Sequence, residues 1–131
     1  MNQLLDTQSF LWFVSGDANL SKIAKESIEN DININYISMA SIWEISIKFS
    51  LGKLHIKGTY ESVIDDINEN GIILLPINFL HTLEQTKLPM HHRDPFDRII
   101  ASQVLVEKMN LISSDIIFDK YFATSAQKRI W

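Results

Sequence analysis

The chain has 131 residues, 46% hydrophobic and 21% charged, a composition that fits one soluble globular domain over residues 1–131 and excludes a disordered or fibrous chain. Sixteen acids against twelve bases give a net charge of −4, and cysteine is absent, which removes disulfides, thiolate ligands and a cysteine nucleophile. No apolar run reaches bilayer-spanning length, and Asp6 breaks the N-terminal one with no basic leader before it, so a cytoplasmic protein with no membrane partner is expected.

From the N-terminus, Leu4 and Leu5 predict a short buried strand that ends in the Asp6 carboxylate, and Thr7-Gln8 leads into the aromatic stretch Phe10 to Val14. Ser15-Gly16-Asp17 is a turn, after which Leu20, Ile23, Ala24 and Ile28 recur at helical spacing as far as Asn30. Tyr36 to Met39 reads as a second strand. Ile42 to Leu51 alternates apolar and polar residues as a strand would. Read as a helix, the reading preferred here, it gathers Ser41, Glu44 and Lys48 into one polar stripe on an otherwise apolar cylinder, with Gly52 as a C-terminal stop. Two uses are open to Glu44, an ion pair with Lys48 one turn on or a place in a site. Val63, Ile64 and Ile67 mark a helix from Tyr60 to Asn68. Gly71 ends it, and Ile72 to Leu75 predicts a buried strand stopped by Pro76. Asn78 to Thr86 is a short helix.

Leu88 to Arg98 is a loop that runs into the apolar sequence Ile99 to Val106. Asp94 is a good N-cap, Pro95 suits the first helical position, and Asp97 falls at the third. Counting three, four, seven and eight residues on from Asp97 reaches Ile100, Ala101, Val104 and Leu105. Its carboxylate therefore sits at the tip of the apolar face and points inward, where an ionised group needs a partner. The competing reading is a first-turn acid that only complements the helix dipole, and for Asp94 the capping reading is preferred. Beyond the helix, Asn110 turns the chain into a strand at Leu111 to Ser114. Asp115 stands just past its end, Asp119 lies in the helical turn that follows, and Arg129 to Trp131 adds an edge strand.

Strands alternating with helices imply an α/β fold with a mainly parallel central sheet and helices on both faces, a three-layer α/β/α arrangement. Asp6 and Asp115 then lie at strand C-termini and Asp97 at a helix N-terminus, all on the sheet edge where such folds bind ligands. Convergence there is costly, since two carboxylates ~5 Å apart repel by roughly 3 kcal/mol at an effective dielectric of ~20. A divalent cation removes that cost. All-oxygen ligands select Mg2+ or Mn2+ over zinc, and sites of this kind commonly act on phosphate esters.

Four stretches carry a resemblance: Leu4-Leu5-Asp6-Thr7-Gln8 with Leu11-Trp12; Ser41-Ile42-Trp43-Glu44-Ile45 with Lys48 and Gly52-Lys53-Leu54; Leu88-Pro89 with His92-Arg93-Asp94-Pro95-Phe96-Asp97-Arg98; and Ser113-Ser114-Asp115 with Phe118 and Tyr121. In this order, over nearly the whole chain, they resemble the PIN-domain ribonucleases, and in particular the toxins of bacterial type II toxin-antitoxin pairs of the VapC kind. The stretch from His92 to Arg98 is the most specific. The resemblance implies a single PIN-like nuclease domain that hydrolyses RNA phosphodiesters with a water activated by Mg2+ or Mn2+. It implies that Asp6, Glu44, Asp97 and Asp115 are the catalytic and metal-holding acids. Lys48, Arg93 and Arg98, with Lys53, become candidates for phosphate contact, although each can equally be a solvated surface charge. Net acidity does not stand against RNA, because setting aside four acids leaves twelve against twelve bases. The resemblance further implies a homodimer and a small cognate antitoxin that blocks the site. Which RNA is cut, whether one ion or two are held, and whether Asp94 or Asp119 joins the site stay open.

Other readings compete. His81, His91 and His92 permit a metal-free ribonuclease with imidazoles as general base and acid, although adjacent loop side chains usually diverge. A phosphoacceptor receiver module also places acids at strand ends, but typically pairs them on the first strand, where Asp6 is single. A non-catalytic interaction module would use Phe10, Trp12 and Phe13 as its interface, unless these three belong to the core.

Overall fold

In the computed structural model, which describes residues 1–131, the fold is built outward from β1 (Asn2–Leu5), the central strand of a five-stranded parallel sheet. Leu4 and Leu5, adjacent in the strand, point to opposite faces and are both fully buried. Each belongs to a separate apolar cluster. Leu5 packs with Phe10, Ile28, Ile37, Ile45, Val63 and Ile67, and Leu4 with Ile100, Ala101, Val104, Leu111 and Phe118. The sheet is thus covered on both sides, as the α/β/α expectation requires.

The elements follow as α1 (Thr7–Ser15), α2 (Lys22–Glu29), β2 (Ile34–Ser38), α3 (Met39–Ser50), α4 (Ser62–Glu69), β3 (Ile73–Leu75), α5 (Phe79–Lys87), α6 (Pro95–Glu107), β4 (Asn110–Ile112), α7 (Phe118–Phe122) and β5 (Arg129–Ile130). Strand order is β3-β2-β1-β4-β5. The chain steps from β1 outward to β2 and β3, then returns to lay β4 on the other side of β1. The order therefore reverses between β1 and β4, and the crevice beyond the carboxyl ends of these two strands is the position at which open parallel sheets bind ligands. The Asp6 N–H, donating to the Ile112 carbonyl at 3.1 Å, closes the pairing at that edge.

Three local expectations shift. Met39 is helical rather than the end of β2, because the Ser38 side chain caps α3 by accepting the Ala40 N–H at 3.0 Å. The helix over the alternating stretch is observed, and its polar stripe runs from inside to surface: Ser41 and Glu44 are buried and Lys48 is exposed, while Trp43 is 61% exposed. β3 is an edge strand, not a buried one. It pairs only with β2 and leaves Ile73 47% exposed, while buried Ile72 precedes it. Asn110 lies within β4 rather than in the turn, which Lys108 makes in the left-handed conformation, φ 55°, at the end of α6.

Candidate active site

Asp6 leaves β1 at its carboxyl end and caps α1, its Oδ1 accepting the Ser9 N–H at 2.8 Å. It is buried, and burial pushes its pKa up, with the Asp115 charge adding to the push and hydrogen bonds from Ser113 and Ser9 opposing it. Asp115 follows β4. Its N–H donates to the Ser113 hydroxyl at 3.0 Å and its Oδ1 accepts the Ile117 N–H at 3.0 Å, so the loop fixes the carboxylate plane.

Asp94 and Pro95 start α6 as their chemistry demands: the Asp94 Oδ1 accepts the N–H groups of Phe96 and Asp97 at 2.8 and 3.2 Å, with proline at the first helical position. This directs Asp97 into the crevice. Burial, then the charge of Asp94, and then those of Asp6 and Glu44, raise its pKa to about 7, against the lowering influence of His92. Glu44 reaches the same neighbourhood from α3. The Thr7 hydroxyl donates to its Oε1 at 2.6 Å and Lys48 Nζ lies 2.9 Å from its Oε2, while Thr7 also meets Ser41 at 2.9 Å. The i,i+4 pair with Lys48 and a place beside the other acids therefore coexist.

His92 was not expected among these groups as a neighbour of the acids. Its Nε2 lies 2.9 Å from Asp97 Oδ2 and 3.3 Å from Asp115 Oδ2, and one ligand-capable atom from each of the three residues falls within 4.8 Å of the others. No sequence period could signal this, because the contact joins a loop, a helix start and a strand end. His91 diverges as expected, its ring lying against Tyr121 at 5.1 Å. His81 is fully buried in α5 between the Asn78 N–H and Glu107, 2.9 Å from the latter. The three imidazoles thus form no acid-base pair around one substrate position.

Arg98 is a correction. It is buried, and its guanidinium donates to the Gln85 side chain and to the carbonyls of Gln85, Leu88 and Pro89 at 2.8 to 3.2 Å. Committed donors in the interior cannot contact phosphate. Arg93 and Lys53 are exposed. Asp119 lies apart, its carboxylate paired with Arg129 at 3.0 Å. Phe10 belongs to the core, and Trp12 and Phe13 pack partly buried against it.

The donor set at the crevice is rich in carboxylate oxygen, contains no thiolate, and gathers more negative charge than its burial favours, so the pKa of Asp6 and of Asp97 is pushed up. That is the charge deficit a hard divalent cation relieves, so the residues present fit Mg2+ or Mn2+.

A PIN-domain family model matches residues 4–122. No curated protein sequence matches the chain. Among solved structures, VapBC2 of Rickettsia felis bound to a promoter DNA fragment is similar over 100% of both chains, at 16% identity and a TM-score of 0.65. VapBC-1 of nontypeable Haemophilus influenzae is similar over 98% of this chain and 96% of its own, at 20% identity and 0.67. FitAcB of Neisseria gonorrhoeae covers 94% of each chain at 14% identity and 0.54. At these identities the likeness is one of fold.

Proposed function

Since the chain belongs to the PIN-domain family of nucleases, we propose that it is a metal-dependent endoribonuclease, the toxin of a toxin-antitoxin pair of the VapC kind, built as a single nuclease domain over residues 1–131. The observation that carries the reading is the cluster of His92, Asp97 and Asp115, one side-chain N or O atom of each lying within 4.8 Å of the others beside the point where the strand order reverses, with the charges of Asp6 and Glu44 acting on Asp97 and that of Asp115 on Asp6.

In this reading Asp6, Asp97 and Asp115 hold Mg2+ or Mn2+. Such an ion, when bound, supplies Lewis-acid activation of the attacking water and offsets the negative charge that builds on the phosphate. Asp97 gives up the proton that burial favours in order to serve as a ligand. Glu44, fixed by Thr7 and Lys48, orients the water. Arg93 and Lys53, both exposed, are the candidates to hold backbone phosphates of single-stranded RNA. Lys48 is shared between Glu44 and that role.

The partners in this reading are a small cognate antitoxin and a second copy of the chain, acting in the cytoplasm. An apolar surface suited to protein contact runs along α5, where Phe79 is 78% exposed beside Leu80 and Leu83. No helix is long and apolar enough to cross a membrane.

The test is cleavage of a defined RNA with Mn2+ and with excess chelator. Reversible loss in chelator and products with 5′-phosphate and 3′-hydroxyl ends are expected, and a single 2′-deoxy substitution at the scissile position should leave the bond cleavable. Cleavage that persists in chelator and leaves cyclic phosphate would overturn the reading, because that product requires the 2′-hydroxyl as nucleophile.

A further inference from the structure

We propose that His92 is the positioning residue of this site: its ring, held in one orientation and one tautomer, ties the Asp97 and Asp115 carboxylates together in an arrangement ready for a cation. The inference rests on the metal-site reading above and adds how two of the acids are kept in place.

Every polar group of His92 is committed. Its backbone N–H donates to the Tyr121 hydroxyl at 2.8 Å, and its carbonyl accepts from Arg98 Nη1 at 3.5 Å. On the ring, Nδ1 accepts the Asp94 N–H at 3.2 Å, and Nε2 faces Asp97 at 2.9 Å and Asp115 at 3.3 Å. The tautomer follows from Asp94. A backbone N–H can only donate, so Nδ1 supplies a lone pair and the ring hydrogen sits on Nε2. An Nε2–H has no lone pair to offer a metal. In this pose the ring is therefore a donor shared by two carboxylates, not a third ligand.

Donation and coordination are compatible, because each carboxylate oxygen has more than one acceptor direction. Hydrogen bonds of this kind fix the orientation of metal-binding carboxylates, and losing them costs roughly 10- to 100-fold in metal affinity. The support behind the ring is unusually complete. The buried Arg98 guanidinium binds the Leu88 and Pro89 carbonyls as well as that of His92, and it also meets the Tyr121 hydroxyl at 3.3 Å. The loop from which the ring hangs is thus stitched to α6 and α7 at once, which is what preorganisation of a site requires.

Calorimetric titration of the full chain with Mn2+ tests this, comparing the unsubstituted protein with His92→Ala, His92→Met and His92→Gln. Methionine fills the ring's volume without an N–H, so the test survives if the alanine variant fails to fold. The Ala and Met variants should bind Mn2+ roughly 10- to 100-fold more weakly. Glutamine, whose amide N–H reaches the position of Nε2, should recover most of the loss. Affinity that is unchanged or tighter in the Ala and Met variants, or no better in Gln than in Ala, overturns this role while leaving the metal site standing. Failure of the unsubstituted protein to bind Mn2+ overturns the metal-site reading itself, and this role with it.

Discussion

Asp97 is a carboxylate placed where ionisation is costly, and that cost makes its titration readable. Burial and three acidic neighbours lift its pKa from 3.8 to about 7, so the metal-free native state holds the proton more tightly than the unfolded chain does. The stability this contributes is complete below the unfolded value and is lost as pH rises through about 7. Asp6 shifts in the same direction. Melting curves of metal-free protein between pH 4 and pH 8 should therefore fall more steeply for the unsubstituted chain than for Asp97→Asn, which has nothing to titrate at that position. Parallel curves would contradict the burial argument. Both Asp6→Asn and Asp97→Asn should keep the fold, since each removes a repelling charge, and both should lose RNA cleavage. Asp97 could be picked out in the sequence because its apolar face follows at helical spacing. His92 could not, because its two acidic partners come from α6 and from the loop after β4.

The start of α6 and the loop before it divide two kinds of contribution that the sequence stretch His92 to Arg98 runs together. Asp94 acts as the cap. Asparagine caps equally well, so Asp94→Asn should retain both fold and cleavage, whereas Asp94→Ala should lose about 1 kcal/mol in chemical denaturation. Loss of cleavage in Asp94→Asn would place that carboxylate in the chemistry. Arg98, by contrast, is interior. Arg98→Lys keeps the charge but not the planar fork that serves Gln85, Leu88 and Pro89. It should destabilise the protein by about 2–3 kcal/mol, the scale of charged hydrogen bonds left unmade. A change below a few tenths of a kcal/mol would show these contacts to be idle. α3 teaches a related lesson. Its apolar residues alternate as in a strand, so the helix is legible only from the stripe of Ser41, Glu44 and Lys48, and which side faces inward is not; Ser41 and Glu44 are buried because the Thr7 hydroxyl meets both there.

For the whole molecule, a cation bound only by the native state stabilises it by RT ln(1 + [L]/Kd), about 2.7 kcal/mol at a hundredfold excess over Kd. Mn2+ should raise the melting midpoint accordingly. The rise should grow with pH up to and beyond 7, because the Asp97 proton must leave before the ion binds. Equal midpoints with and without saturating Mn2+ at pH 8 would refute a preformed site. Ca2+ should stabilise the fold without supporting cleavage, since its coordination is larger and looser than that of Mg2+.

The sequence alone determined the features governed by neighbours a few residues away. The alternation of strands and helices, the Asp94-Pro95 helix start and the acids at the ends of β1 and β4 all follow from local periodicity and capping chemistry. The parallel order β3-β2-β1-β4-β5, the edge position of β3, the burial of Arg98 and the bridge from His92 to Asp97 and Asp115 were decided only by the tertiary structure. Each depends on segments far apart in the chain arriving side by side, and neither the backbone period nor the residue type at one end of such a contact specifies what stands at the other.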